Sequence, residues 1–240
     1  MSLAPVPLRV GPARSLHLVT AVVAVAALLL QLVLSASGAA TLVEVDPPGF
    51  WTRMGRLVSY FTIQSNLLVA VAAVTLARDP TRDGDGWRVL RLAGLVGITV
   101  TGLVHFVLLR PLLDLEGASL VADKLLHLAV PLLAIAGWLL AGPRPRFSAR
   151  TAALALLWPV GWLAWTLAVG ALTGWYPYPF LDPAEGGAAA VAVTCVVITG
   201  LFVALLAGAV SLDRRMAPAP AGEPADEPAV SRPPARRAAP

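Results

Sequence analysis

The sequence predicts an all-α, polytopic membrane protein with six transmembrane helices and both termini on the cytoplasmic side. Three observations carry this. The 240 residues are 58% hydrophobic and 13% charged, whereas soluble domains hold roughly 45–50% apolar and about 25% charged residues. Mean hydropathy is +0.76. The apolar residues come in blocks of about 20, the length that crosses about 30 Å of hydrocarbon as a helix. The basic residues are also sided, as shown below.

The first block is Ser15–Leu34. "LSASGAA" follows it and resembles a signal-peptidase site. The apolar run of about 18 residues exceeds the 7–15 of a cleaved signal, so the block is read as a retained helix. A cleaved signal leaving five helices is the other option. The remaining blocks are Leu57–Ala77, Val89–Leu109, Leu120–Ala141, Thr151–Leu172 and Ala188–Leu212. Breakers separate them: "VDPPGFW", "RDPTRDGDG", "AGPRPRF" and "WYPYPFLDPAEGG". Residues 1–14 form a cytoplasmic N-terminal segment and 15–212 the six-helix domain. Residues 213–240, rich in Pro, Ala and Arg, are expected to be a disordered cytoplasmic tail with little to bury.

Six helices place both termini on one side, with the second–third and fourth–fifth loops. That side holds all of the 18 Lys and Arg residues except Arg53, Arg56, Arg110 and Lys124. Basic loops stay cytoplasmic, so both termini are expected inside. The fifth–sixth loop has no basic residue and carries Asp182 and Glu185, which fits the outside. The basic pI thus reads as topology, and no nucleic-acid partner is expected. The one cysteine, Cys195, allows no internal disulfide. No cofactor is expected. The Ala, Arg and Pro bias points to a bacterial plasma membrane.

Polarity inside the apolar blocks then stands out. In "LVSYFTIQSNLLVAV", Ser59, Thr62, Ser65 and Asn66 fall within about 60° of one direction at 100° per residue. Gln64 points nearly the opposite way. Lipid offers no partners to such a stripe, so it faces protein or water. It is either interhelical glue, worth about 0.6 kcal/mol per bond, or part of a site. His127 has Asp123 one turn before it and Lys124 beside it. Ionisable residues in membrane helices default to functional hypotheses. Asp123 either orients the imidazole or marks, with Lys124, the water boundary. His105 follows Thr101 by one turn and either lines the same pocket or bonds a neighbouring helix. The expected topology puts Thr62, Asn66, His105, Asp123 and His127 at one depth, in the outer leaflet. Two separated histidines without a spacing motif are a weak metal signal, and no metal is expected. Trp158, Trp162 and Trp165 read as packing, with Pro159 kinking their helix.

"FTIQSNLLV", "DKLLHLAVP" and "TGWYPYPFLD" together resemble the androgen-induced gene family of multi-pass membrane proteins and its bacterial relatives, the Pr6Pr membrane proteins. The resemblance runs from the first helix to the sixth. It implies a threonine hydrolase acting on esters of fatty acids with hydroxy fatty acids. It implies Thr62 as nucleophile and His127, shortly before Pro131, as the essential histidine. The "YPFL" stretch matches Tyr178, Pro179, Phe180 and Leu181, the first three expected as a rigid pocket rim. The sequence around His127 otherwise diverges, and the substrate stays open.

The chemistry is consistent with this. A threonine hydroxyl is a weak nucleophile unless a base takes its proton. His127 is the expected base, Asp123 and His105 its support, and Asn66 a donor to the developing oxyanion. The substrate would be a membrane lipid ester entering from the outer leaflet. Two other classes remain: a small transporter, needing a polar path through the bilayer, and a non-catalytic scaffold or sensor with Thr62 packed away.

Overall fold

The computed structural model describes residues 8–39 and 48–220. Within these the chain is helical, without a β-strand. Eight α-helices occur: α1 (Val10–Ser37), α2 (Phe50–Ser59), α3 (Phe61–Arg78), α4 (Asp85–Val104), α5 (Gly117–Lys124), α6 (Val130–Ala136), α7 (Ala149–Thr173) and α8 (Pro183–Arg215). Helices α4, α5 and α6 are extended by turns of other helix types. This leaves six segments long and apolar enough to cross a membrane: Val10–Ser37, Phe61–Arg78, Asp85–Leu112, Gly117–Ala141, Ala149–Thr173 and Pro183–Arg215. Each contains or closely overlaps one expected block. Many large apolar side chains point outward, among them Val22, Leu29, Leu157 and Val196. A soluble monomer rarely tolerates so much exposed apolar surface; a membrane protein presents it to lipid.

Helix α3 lies between α1 and α4, and α4 in turn packs on α6, α7 and α8. Small residues permit the close approaches. A Cβ on Gly97 would stand 2.7 Å from the Trp158 ring, and one on Gly102 would stand 3.2 Å from the His127 carbonyl oxygen. The core joins Phe61, Leu92, Val96, Val100, Leu181, Phe202 and Leu206.

The second block departs from expectation. It was expected as one helix over Leu57–Ala77, but Tyr60 is extended (φ −66°, ψ 129°) and divides α2 from α3. Side chains take over the carbonyls that a continuous helix would have used. Gln64 Nε2 donates to Val58 O at 3.0 Å, and Trp162 Nε1 donates to Ser59 O at 2.9 Å. Ser59 therefore belongs to α2, and the polar stripe reduces to Thr62, Ser65 and Asn66.

Three π-helical turns interrupt the bundle: His105–Leu109, Leu125–Ala129 and Gly137–Ala141. Each ends two residues before a proline, respectively Pro111, Pro131 and Pro143. Proline lacks the N–H that would bond the carbonyl four residues back, and its ring crowds that carbonyl. A widened turn accommodates both effects. Such turns are frequent at functional sites.

At the end of the bundle that carries the start of α1, buried polar groups tie the loops together. Arg144 donates to the carbonyls of Trp138, Leu139 and Ala217. Asp213 accepts from Trp138 Nε1 and from the backbone N–H groups of Arg146 and Phe147. The stretch expected as tail from residue 213 thus begins with ordered structure: α8 runs to Arg215, and Met216 and Ala219 are buried. The rest of that expected tail, 221–240, lies outside the described residues, as does the start of the N-terminal segment, 1–7.

Candidate active site

The opposite end of the bundle gathers the residues singled out from sequence. Thr62 sits in the first turn of α3, directly after the break at Tyr60. In an unbroken helix its N–H would bond Val58 O, but Gln64 occupies that carbonyl. The Thr62 N–H instead donates to the Tyr178 hydroxyl at 3.3 Å. The break thus frees a backbone donor beside the threonine hydroxyl, at a helix N-terminus whose partial positive charge favours anions.

The hydroxyl itself meets His127. Thr62 Oγ1 lies 3.3 Å from His127 Nε2 and 3.4 Å from the Tyr178 hydroxyl. His127 Nδ1 lies 3.1 Å from Asp123 Oδ1 and 3.1 Å from the Asp123 carbonyl oxygen. Both partners can only accept, so Nδ1 carries the proton. Nε2 is then bare and accepts from the threonine hydroxyl. A directional chain results, from Tyr178 O–H to Thr62 O–H to His127, and from His127 Nδ1–H to Asp123. Hydroxyl, imidazole and carboxylate thus stand in the order that a nucleophile, its base and an orienter require, within hydrogen-bond reach.

His105 completes the arrangement. Its Nε2 lies 3.2 Å from the same Asp123 Oδ1. The two imidazoles stack, with centroids 3.9 Å apart and planes 12° apart. Both histidines sit in π-helical turns set by prolines. Asp123 Oδ2 and His105 Nδ1 are buried without hydrogen-bond partners among the described residues. His105, Asp123 and His127 also bring one possible metal-ligand atom each within 4.8 Å of one another. Those separations also match two N–H groups converging on one carboxylate oxygen.

Asn66 does not have the role expected of it. Its Nδ2 donates to Thr62 O at 2.8 Å and to Leu126 O at 3.3 Å. Both amide hydrogens go to backbone carbonyls of the two helical turns, so the side chain is held between them. Asn66 instead ties the turn holding Thr62 to the turn holding His127. Ser65 serves packing: it donates to Phe61 O at 2.7 Å and accepts from Thr101 Oγ1 at 3.2 Å.

The "WYPYPFLD" loop divides its residues between tasks. Pro179, Phe180 and Leu181 form a single 3₁₀ turn. Tyr178 stacks on Phe180 (centroids 5.2 Å, planes 3° apart) and contacts Tyr60 and Trp162 edgewise or tilted. Its hydroxyl thereby reaches Thr62 Oγ1, a contact beyond the rim expected for it. Burial holds the Tyr178 phenol above its ordinary pKa, against the pull of the Thr62 hydroxyl and of backbone N–H donors, so it remains a donor. Pro179 lines a shallow groove with Asp182 and Glu185.

Two cavities flank Thr62. One, of about 80 Å³, lies between α3, α4, α7 and α8 and is lined by residues such as Val100, Leu163, Phe180, Cys195 and Phe202. The other, of about 100 Å³, is lined by residues of α1, α2, α3, α5 and the π turns after α4 and α5, including Leu57, His105, Ser119, Asp123 and His127. Thr62, Leu109 and Tyr178 border both.

Comparison of the chain with protein-family models, with curated proteins and with solved structures gave no match.

Proposed function

We propose that this membrane protein hydrolyses fatty acyl esters, with Thr62 as nucleophile and His127 as base. The observation that carries the reading is the 3.3 Å contact between Thr62 Oγ1 and His127 Nε2, with Asp123 at the far ring nitrogen. This is the geometry expected of general-base activation of a hydroxyl. The resemblance to membrane threonine hydrolases in "FTIQSNLLV" and "DKLLHLAVP" supports it. So does the apolar cavity at Thr62, which suits a lipid chain.

In the proposed reaction, Thr62 Oγ1 attacks the ester carbonyl carbon while its proton passes to His127 Nε2. The carbonyl oxygen becomes an oxyanion; the Thr62 N–H leaves the Tyr178 oxygen and the Tyr178 O–H leaves Thr62 Oγ1 to meet it. The carbon–oxygen ester bond breaks, and His127 gives its proton to the departing alkoxide. Water then adds to the acyl-threonine through the same histidine, releasing the acid and restoring the Thr62 hydroxyl. Asp123 stabilises the transient imidazolium.

The sidedness of the basic residues supports an outer-leaflet site with both termini cytoplasmic. Expression in a bacterial plasma membrane fits the composition.

The test is covalent labelling by a long-chain fluorophosphonate. The native protein is expected to be labelled at Thr62, with the site read by mass spectrometry. Thr62→Ala and His127→Ala are each expected to abolish labelling while the protein still folds into membranes. Persistent labelling of both variants overturns the reading.

A further inference from the structure

We infer that the two cavities divide the substrate: the cavity between α7 and α8 takes the acyl chain, and the cavity containing His127 takes the alcohol and later the water. The inference rests on the proposed ester hydrolysis and assigns each half of the ester to a place.

The assignment follows from proton transfer. The leaving alkoxide must receive its proton from His127 Nε2, so the alcohol must depart on the side where that nitrogen lies. His127, Asp123 and His105 line only the second cavity. Water for the second step needs the same nitrogen and follows the alcohol into the vacated space. The acyl group stays bonded to Thr62 Oγ1 through both steps. It therefore occupies the space that Thr62 borders and His127 does not.

The chemistry of the walls agrees. No Asp, Glu, His, Lys or Arg lines the first cavity. The Thr101 hydroxyl there is already bonded to Ser65. Away from the Thr62 and Tyr178 hydroxyls at one end and Thr199 at the other, such a lining suits methylene groups. Val160 on α7 and Thr199 on α8 line it while also being exposed on the outside of the bundle. The first cavity thus reaches the lipid-facing surface between α7 and α8, and a long acyl tail can extend through that gap into the bilayer. The Thr62–Tyr178 contact is the wall between the two spaces, so the scissile carbonyl sits where they meet.

Cys195 offers a direct test, because it lines only the acyl cavity and is the chain's single cysteine. Purified protein would be treated with N-ethylmaleimide, with modification counted by mass spectrometry. Hydrolysis of p-nitrophenyl palmitate and p-nitrophenyl butyrate would then be compared. Alkylation is expected to lower the palmitate-to-butyrate ratio of kcat/KM at least ~10-fold, since a filled cavity rejects a long chain more than a short one. Cys195→Ala protein is expected to show no such shift on treatment. If the thiol resists the reagent, Cys195→Trp supplies the same bulk and should shift the ratio in the same direction. Ser119→Trp, in the other cavity, is expected to change discrimination between p-nitrophenyl and bulkier 4-methylumbelliferyl esters of one acid. An unchanged acyl-length ratio with Cys195 fully modified or replaced by Trp overturns the division. So does a shift in acyl-length ratio produced by Ser119→Trp instead. If the native protein hydrolyses neither ester and takes no phosphonate, ester hydrolysis itself fails and the division with it.

Discussion

Asn66 donates one amide hydrogen to Leu126 O at 3.3 Å, binding the α3 turn that bears Thr62 to the π turn that bears His127. The second hydrogen goes to Thr62 O at 2.8 Å, so one fully buried carboxamide touches both the Thr62 turn and the His127 turn. The bond also occupies a carbonyl in the widened turn before Pro131. In the proposed reaction Asn66 is thus a positioning residue, holding the separation between Thr62 and His127.

Asn66→Ala tests that role. Loss of a buried hydrogen bond with one partner left unsatisfied costs about 1–3 kcal/mol of stability. The kinetic loss is expected to be larger, because a displacement of about 1 Å at a reacting pair lowers rates by about 100-fold. Steady-state kinetics should show kcat falling with KM little changed. A fall no greater than the stability loss explains would contradict the positioning role.

The shared carboxylate makes a second expectation. Asp123 Oδ1 receives N–H groups from both His127 and His105. In Asp123→Asn the charge that stabilises the imidazolium is gone, and the amide can present a donor to Nδ1. That favours the tautomer with Nε2 protonated, which cannot take the Thr62 proton. General acid–base catalysis contributes about 10²–10⁴-fold, and kcat should drop by that order. His105→Ala should lower kcat less, since one N–H to the carboxylate survives. Incubation with a chelator such as EDTA should leave the rate unchanged, because two hydrogen bonds to one oxygen account for the His105–Asp123–His127 cluster. Reversible inactivation by the chelator would assign the cluster to an ion instead.

Tyr178→Phe removes one of two proposed oxyanion donors. Losing one such donor lowers kcat by about 10²–10³-fold. The native protein should keep the donor in mild alkali, because burial raises the phenol's pKa. The same shift has a consequence for stability. The folded protein keeps this proton where an unfolded chain has released it, so the unfolded state binds fewer protons. The contribution of Tyr178 is therefore complete below about pH 10, the ordinary tyrosine value. It is lost as pH rises from there through the higher folded value. Unfolding in detergent, followed from pH 9 to 11.5, should lose stability more steeply in the native protein than in Tyr178→Phe.

What the sequence disclosed follows the range of the forces involved. The spans were legible because lipid demands long apolar blocks, a requirement written locally in "AVVAVAALLLQLVL" and its counterparts. Thr62, His105, Asp123 and His127 stood out as polarity within those blocks. The break at Tyr60 was not legible. No glycine or proline marks it; Gln64 and Trp162 sustain it by taking the carbonyls of Val58 and Ser59, and Trp162 lies about a hundred residues away. The role of Tyr178 was hidden for the same reason, since its partner is an N–H that only the break sets free. Asn66 was misassigned because helical phase shows direction but not which acceptors a side chain meets. One partial signal could have been read: prolines 111, 131 and 143 each follow a widened turn, although Pro159 sits inside α7 without one.

Pro131 is where that local signal and the site coincide, and its replacement separates stability from activity. Pro131→Ala supplies an N–H that can bond the carbonyl of His127, the residue four positions back. The π turn at Leu125–Ala129 then has less reason to persist. Rewinding it to an α-helix removes the extra residue from the turn and rotates His127 away from Thr62 and Asp123. The added helical bond should raise the midpoint of thermal unfolding or leave it unchanged. Ester hydrolysis and phosphonate labelling should both fall, by about 100-fold for a shift of about 1 Å in the base. Gly102 adds a control, because its missing side chain gives the His127 carbonyl its place. Gly102→Ala crowds that oxygen without supplying an N–H, so it should lower activity and also lower the unfolding midpoint. If Pro131→Ala instead loses stability and keeps activity, the widened turn is not what aims His127.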